Sequence, residues 1–189
     1  MCSKESLNKI QESIHLQAPE SLLWRLCFIC MPNQSINLRI IQPSDWELLL
    51  RIEHSPDSRN FTTLEVPSEL ELKDYLHSSH DFFMQGQIRF VIESNGVGVG
   101  FLDFSDASID FRFASIGIYI LPEFRKKYIA LDAIGLSLTQ AKKYGIVKLL
   151  AFVEPQNMAS INLFLKAGFR YSESINAYQV YSYNLIEDI

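Results

Sequence analysis

Arg125-Lys126-Lys127 places three consecutive cations after an apolar strand that ends at Pro122 and before a helix that runs on from Tyr128. Cations at a helix N-terminus oppose the macrodipole, so a bound anion accounts for them better than a solvated helix start does. The first turn also offers backbone N–H groups that have no partner within the helix. This is the chemistry a pyrophosphate needs. A second strand-to-helix unit follows, from Val147 to Glu154 and then from Asn157. Asn157 and Ser160 read as a cap and a first-turn polar residue. Glu154 and Ser160 are also the side chains nearby that could handle protons. An exposed strand-end charge is the plainer account of Glu154.

Further acidic residues, Glu53, Glu65, Glu69, Glu71 and Asp74, accompany Trp46, Phe61 and Tyr75. Carboxylates and aromatic rings can hold an ammonium group, although such charges also form the wet side of helices. His77 and His80 stand at helical spacing beside Asp74 and Asp81, but two histidines at a helix end complement its dipole without any metal. Cys27-x-x-Cys30 has no second ligand pair at zinc spacing. No metal site is assigned. The sequence contains no Ser-His-Asp or Cys-His arrangement that suggests an acyl-enzyme.

These residues need elements to position them. Residues 1–34 stand apart as an N-terminal extension, with a short helix over Ser6 to Gln17 and a linker at Met31 to Gln34. Residues 35–189 follow a regular pattern. Ile36 to Ile41 reads as a strand. Ser44 with Glu47 and Ser68 with Glu71 read as capping boxes that open two helices, the second ending near His80. Ser94-Asn95-Gly96 joins two strands, Ile88 to Glu93 and Val97 to Phe104, and Asp103 to Phe111 reads as a polar loop. Arg112 to Leu121 is the next strand. The helix after it carries one buried stripe, Leu131, Ile134, Leu138, Ala141 and Gly145, with Gly145 as its stop. Val147 to Val153 is apolar enough for a strand covered on both faces. Met158, Ile161, Leu165 and Gly168 form the stripe of the last helix, and two strands, Arg170 to Ile175 and Ala177 to Leu185, end the chain. The glycines at 96, 98 and 100 are one turn glycine and two strand glycines, because no helix follows them.

Composition bounds the function. The 189 residues carry a net charge of −5, with 48% apolar and 21% charged residues, which suits one ordinary globular domain. That balance argues against a nucleic-acid binder and suits a cationic acceptor better. Ser21 to Met31 is too short for a membrane span. The reading is a cytoplasmic protein with no nucleic-acid or membrane partner, and a homodimer is left open.

The order β-α-α-β-β-β-α-β-α-β-β, the run from Ala114 to Ala130 and the run from Asn157 to Phe169 resemble the GNAT acetyltransferases. The likeness is nearest to the branch that acetylates protein N-terminal amines, polyamines and other small amines. It covers about residues 36 to 186 and is most specific over 114 to 169. It implies an α+β (mixed α/β) fold, with a seven-stranded, mostly antiparallel sheet, a splayed parallel strand pair and flanking helices. It further implies that acetyl-CoA lies between the splayed strands, its amide arm against the main chain of Ile118, Tyr119 and Ile120. The pyrophosphate would then rest on Arg125, Lys126, Lys127, Tyr128, Ile129 and Ala130. In relatives this loop reads Gln/Arg-x-x-Gly-x-Gly/Ala, so Tyr128 stands where the first glycine lets the backbone approach phosphate. The second motif carries Asn157, Ser160, Phe164 and Lys166 toward the CoA arm. Many relatives have a Tyr general acid at the position of Phe164, which leaves Ser160 as the nearest hydroxyl. Some relatives use a Glu base on the first splayed strand, where this chain has Ser115, Gly117 and Tyr119. The expectation is an N-acetyltransferase that moves an acetyl group directly from acetyl-CoA to a primary amine, with Ser160 and Glu154 as candidate catalytic residues. The alternatives are a catalytically degenerate acyl-CoA-binding or interaction protein of the same fold, and an enzyme with a larger acyl donor.

Overall fold

Asn95 and Gly96 both adopt left-handed backbone conformations, with φ of 53° and 78°. They form the tight turn between β2 (Ile88–Ser94) and β3 (Val97–Ser108). Such a turn matches the twist of the strands it joins, and Asn-Gly adopts it at little cost. The computed structural model describes residues 34–59, 65–108 and 112–186. Its remaining strands are β1 (Ile36–Ile40), β4 (Phe113–Ile120), β5 (Lys148–Val153), β6 (Arg170–Ile175) and β7 (Tyr178–Asn184). Its helices are α1 (Trp46–Glu53), α2 (Glu69–His77), α3 (Phe82–Gln85), α4 (Ile129–Lys143) and α5 (Met158–Lys166). The seven strands form one sheet in the order β1-β2-β3-β4-β5-β7-β6, and only the β4–β5 pair is parallel. Ser6 to Gln17, the three cysteines and Phe61 lie outside the described residues.

Two apolar layers cover the sheet. On one face, Ile116, Ile120, Ala133, Ile134, Leu149, Phe164 and Phe169 belong to the larger core under α4 and α5. On the other face, Leu49, Ile52, Leu72, Leu76, Phe101 and Leu121 form a second core under α1 and α2. Strand side chains alternate between the two faces.

Several expectations are corrected. The Ser44–Glu47 box does not open α1; a 3-10 turn over Pro43–Asp45 does. Asp45 accepts from the Gln42 N–H at 2.8 Å and from both Arg39 Nη atoms at 2.7 Å. The bidentate Arg–carboxylate geometry fixes the acid at 45. The Ser68–Glu71 box does form, but its helix stops at His77, and α3 is a separate turn capped by Asp81. β3 runs on to Ser108 instead of becoming a loop at Asp103, because β4 pairs with it through Ser105↔Ser115 and again at Ser108↔Phe113. The buried stripe of α4 is Ile129, Ala133, Ile134, Ser137 and Ala141. α5 buries Ile161 and Phe164 and exposes Met158 and Leu165. Among the described residues the second face of β5 is only partly covered, with Leu150 half-buried and Phe152 43% exposed.

The Asp45 pair sets an acid limit. Burial alone would raise the Asp45 carboxyl, but hydrogen bonds from Arg39 and the Gln42 N–H hold it below its ordinary 3.8. A carboxyl lowered in the folded state contributes stability that is present above that ordinary value and is lost as pH falls through the folded one. The contribution of this group to denaturant midpoints should therefore stay constant between pH 7 and 5 and should be lost below about pH 4. Asp45→Asn should cost about 1–3 kcal/mol at pH 7 and flatten part of that drop. An unchanged acid profile would remove Asp45 from the account.

Candidate active site

β4 and β5 pair only through Phe113↔Lys148, Ala114↔Leu149 and Ser115↔Leu150. Both strands continue, to Ile120 and Val153, while separating from each other. The open edge of β4 follows from its other side. The Leu121 N–H donates to the Val99 carbonyl on β3 at 2.9 Å. In a trans peptide the preceding carbonyl points the opposite way, so the Ile120 carbonyl faces the gap. Main-chain direction alternates along a strand, so Ile116 and Ile118 also turn their N–H and C=O groups into the gap. Tyr119 directs its own groups to β3. Of the three residues expected to meet an amide arm, Ile118 and Ile120 have the right direction and Tyr119 does not.

The loop at the head of the gap uses left-handed backbone at two positions, Lys126 (φ 58°) and Tyr128 (φ 62°). Tyr128 thus adopts the conformation a glycine would, and its ring is half exposed. α4 starts there with no side-chain cap, which leaves the first-turn N–H groups at Ile129 and Ala130 available to an anion. The three cations differ in their commitments. Arg125 is bonded to Ile120 and Asp57. Lys127 Nζ donates to the Glu123 carbonyl at 3.0 Å and lies over the Phe124 ring. Among the described residues none pairs with Lys126.

On the second unit, Asn157 Oδ1 accepts from the Ser160 N–H at 3.1 Å and caps α5. Glu154 follows the end of β5 and accepts from Gln156 Nε2 at 3.0 Å. Phe164 is buried, its ring edge-on to Phe169 at 5.1 Å. Lys166 is exposed in the last turn of α5, about 14 Å along the helix axis from Asn157. The fold therefore brings Ile118, Ile120, the 125–130 loop, Glu154, Asn157 and Ser160 to one end of the β4–β5 pair. It sets Lys166 at the far end of its helix.

The face under α1 and α2 adds Arg89, Asp103 and Phe152, which the motif reading missed, to the Glu53, Tyr75, Gly117 and Tyr119 that it named. Gly117 lies opposite Asp103 in the β3–β4 ladder and is exposed although its strand is central. A Cβ placed there would meet nothing within 4 Å. By strand alternation, Gly117, Tyr119 and Phe152 share this face on the two sides of the gap. Close by, Arg89 donates to both Asp103 oxygens at 2.8 Å and to Glu53 at 2.7 Å, and it stacks on Phe101 and Tyr75. Burial pushes the Tyr75 hydroxyl up to about 12. Asp103 was hidden inside what read as a loop. Asp57 carried no periodic signal at all.

An uncapped helix start, a left-handed loop and a strand edge that leaves its partner are together suited to an extended, amide-bearing anion such as an acyl-CoA. That is the class of protein this fold and site describe. Residues 35–170 match a family model described as acetyltransferase (GNAT) domain. The chain belongs to the GNAT acetyltransferase family and is an acyltransferase with acetyl-CoA as co-substrate. It is 28% identical over 144 residues to an Escherichia coli spermidine N(1)-acetyltransferase, across 74% of this chain and 75% of that protein. Similar solved structures include a Vibrio cholerae spermidine N-acetyltransferase in complex with CoA and spermine. That pair has a TM-score of 0.65 and 19% identity, with 78% and 92% of the two chains covered. Another is a ribosomal-protein-S5-alanine acetyltransferase from Vibrio fischeri, with a TM-score of 0.68, 15% identity, and 80% and 94% covered. Among the described residues no helix is long and apolar enough to cross a membrane, and no three His, Cys, Asp or Glu side chains gather as a metal site.

Proposed function

We propose that the domain from residue 35 to 189 transfers the acetyl group of acetyl-CoA directly to a primary amine, either of a polyamine or of a protein N-terminus. The observation that carries this is the separation of β4 from β5 after Ser115↔Leu150, with the Ile116 and Ile118 main chain facing the gap. Relatives named for spermidine and for a ribosomal-protein alanine support the two acceptor classes. When bound, acetyl-CoA supplies an activated thioester. Its C–S bond breaks as the amine nitrogen bonds the acyl carbon, and the amine proton passes to a base. In this reading the Ile116 and Ile118 main-chain groups and the Ile120 N–H orient the amide arm, and Lys126 with the α4 N-terminus holds the pyrophosphate. Glu154 and Ser160 are the proton-handling candidates at the open end. Phe164 is buried and has no proton to give, so the thiolate departs unassisted by that position.

Calorimetric titration with acetyl-CoA, followed by thiol release with spermidine, spermine and an alanine-terminated basic peptide, tests this. Salt-weakened binding and amine-dependent thiol release are expected. Binding without thiol release in any amine would leave only a CoA-binding protein. Tyr128→Gly should tighten acetyl-CoA binding several-fold, because it removes the β-carbon and ring that stand in the phosphate approach. Weaker binding in that variant would make the Tyr128 ring part of the site.

A further inference from the structure

Arg125 heads the cofactor loop, yet its guanidinium is turned to other groups. Its Nε donates to the Ile120 carbonyl at 2.8 Å, and its Nη2 donates to the Asp57 carboxylate. Its Cζ lies 5.2 Å from the centroid of the Tyr119 ring. The Tyr119 hydroxyl donates to the same Asp57 oxygen at 3.3 Å. These groups come from three places: Asp57 from the Pro56–Arg59 turn just after α1, Tyr119 and Ile120 from the end of β4, and Arg125 from the loop above the gap. A planar five-donor fork can serve a carbonyl, a carboxylate and an aromatic face at once, which a lysine cannot do.

We propose that Arg125 is a positioning residue that clasps the turn at Asp57 to the end of β4, and that it is not a phosphate ligand. It occupies the Ile120 carbonyl, the last gap-facing acceptor on β4, and so sets the upper limit of the groups open to an amide arm. It also fixes the Tyr119 ring and the turn that follows α1, on the face that Gly117 leaves open. The clasp therefore joins the cofactor side of the gap to the acceptor side. The Arg125 hydrogen bond holds the Asp57 carboxyl below its ordinary value, so the pair stays ionised at neutral pH. Both side chains are about two-fifths exposed, and ion pairs so wetted contribute little stability. Variants should fold, and their effects should appear in kinetics.

The part of this inference that concerns catalysis rests on the acetyltransferase reading. The test compares wild type, Asp57→Asn, Arg125→Gln and the double variant. It measures thiol release, acetyl-CoA affinity at two salt concentrations, and hydrogen exchange of the Ser58 amide, which bonds the Ser55 carbonyl. The clasp predicts faster Ser58 exchange in both single variants. It also predicts a loss of about tenfold or more in kcat/KM for the amine, with the double variant no worse than the singles. Acetyl-CoA affinity should move less than about threefold, and its salt dependence should not change. An Arg125→Gln variant with unchanged Ser58 exchange overturns the clasp, whatever the enzyme does. So does a variant that loses acetyl-CoA affinity tenfold and flattens the salt dependence while Asp57→Asn keeps both. A wild type that binds no acetyl-CoA would overturn the acetyltransferase reading instead, and the exchange measurement would still decide the clasp.

Discussion

Gly117→Leu should abolish acetyl transfer to amines while the protein stays folded and still binds acetyl-CoA. Gly117 stands just past the last β4–β5 pair, on a central strand, and yet is exposed. Apart from its chain neighbours, no atom of the described residues lies within 4 Å of the Cβ it lacks. A leucine there has room to fold and fills the open ground between Tyr119 and Phe152, which the proposed function makes the entrance of the amine to the gap. The main-chain groups offered to the CoA arm belong to Ile116, Ile118 and Ile120, whose side chains lie on the opposite face. Displacing a reacting amine by about 1 Å costs on the order of 100-fold, so kcat/KM should fall by at least that much. Acetyl-CoA affinity should stay within about threefold, because the groups named for it keep their places. Gly117→Ala is the control: it should keep or slightly raise the thermal midpoint, since an alanine costs the unfolded chain entropy and here meets nothing. Full activity in Gly117→Leu would move the acceptor entrance elsewhere.

What the sequence made legible depended on distance along the chain. Short-range chemistry was readable: the Asn95-Gly96 turn, the Ser68–Glu71 box, the Asn157 cap and the Gly145 stop all form as their residue types dictate. The stripe of α4 was half readable. Ile134 and Ala141 are buried, but the run Ile129 to Ala141 is so largely apolar or small that more than one face satisfies helical spacing. Packing on β1 and β4 selects the face through Ile129, Ala133 and Ser137. The strand gap was reached through family resemblance, since nothing in the apolar run of β5 announces that it will part from β4 after Leu150. Arg125 was least readable. Its place after a strand and before a helix points to phosphate, whereas its carboxylate partner is 68 residues away in a turn without periodic signal. Pairings of that span are set by the folded chain and by no local pattern.

Gly100→Ala should destabilise this sheet far more than Gly98→Ala. In the sequence Gly96, Gly98 and Gly100 look alike, but the fold treats them differently. Gly96 is a turn residue with φ of 78° and open space around it. A Cβ on Gly98 would come within 2.9 Å of Leu48 Cδ2, the far end of a side chain that can turn aside. A Cβ on Gly100 would come within 2.1 Å of the Tyr119 carbonyl oxygen and 3.1 Å of the Ile120 Cα. Both are backbone atoms of the central strand, and neither can rotate away. Gly100 and Ile120 also face each other across the ladder, where the Leu121 N–H to Val99 carbonyl bond draws β3 and β4 together. Relief requires pushing β4 off β3, at a cost of roughly 3 kcal/mol or more. That corresponds to a drop of about 10 °C in the thermal midpoint of a domain this size. Gly98→Ala should cost about 1 kcal/mol or less, because only side chains must yield. The same displacement would move Tyr119 and Ile120, so any folded fraction of Gly100→Ala should also transfer acetyl groups poorly. A midpoint within about 2 °C of wild type would mean that β3 and β4 sit farther apart at Gly100, and the alignment of Ile118 and Ile120 with the gap would have to be redrawn.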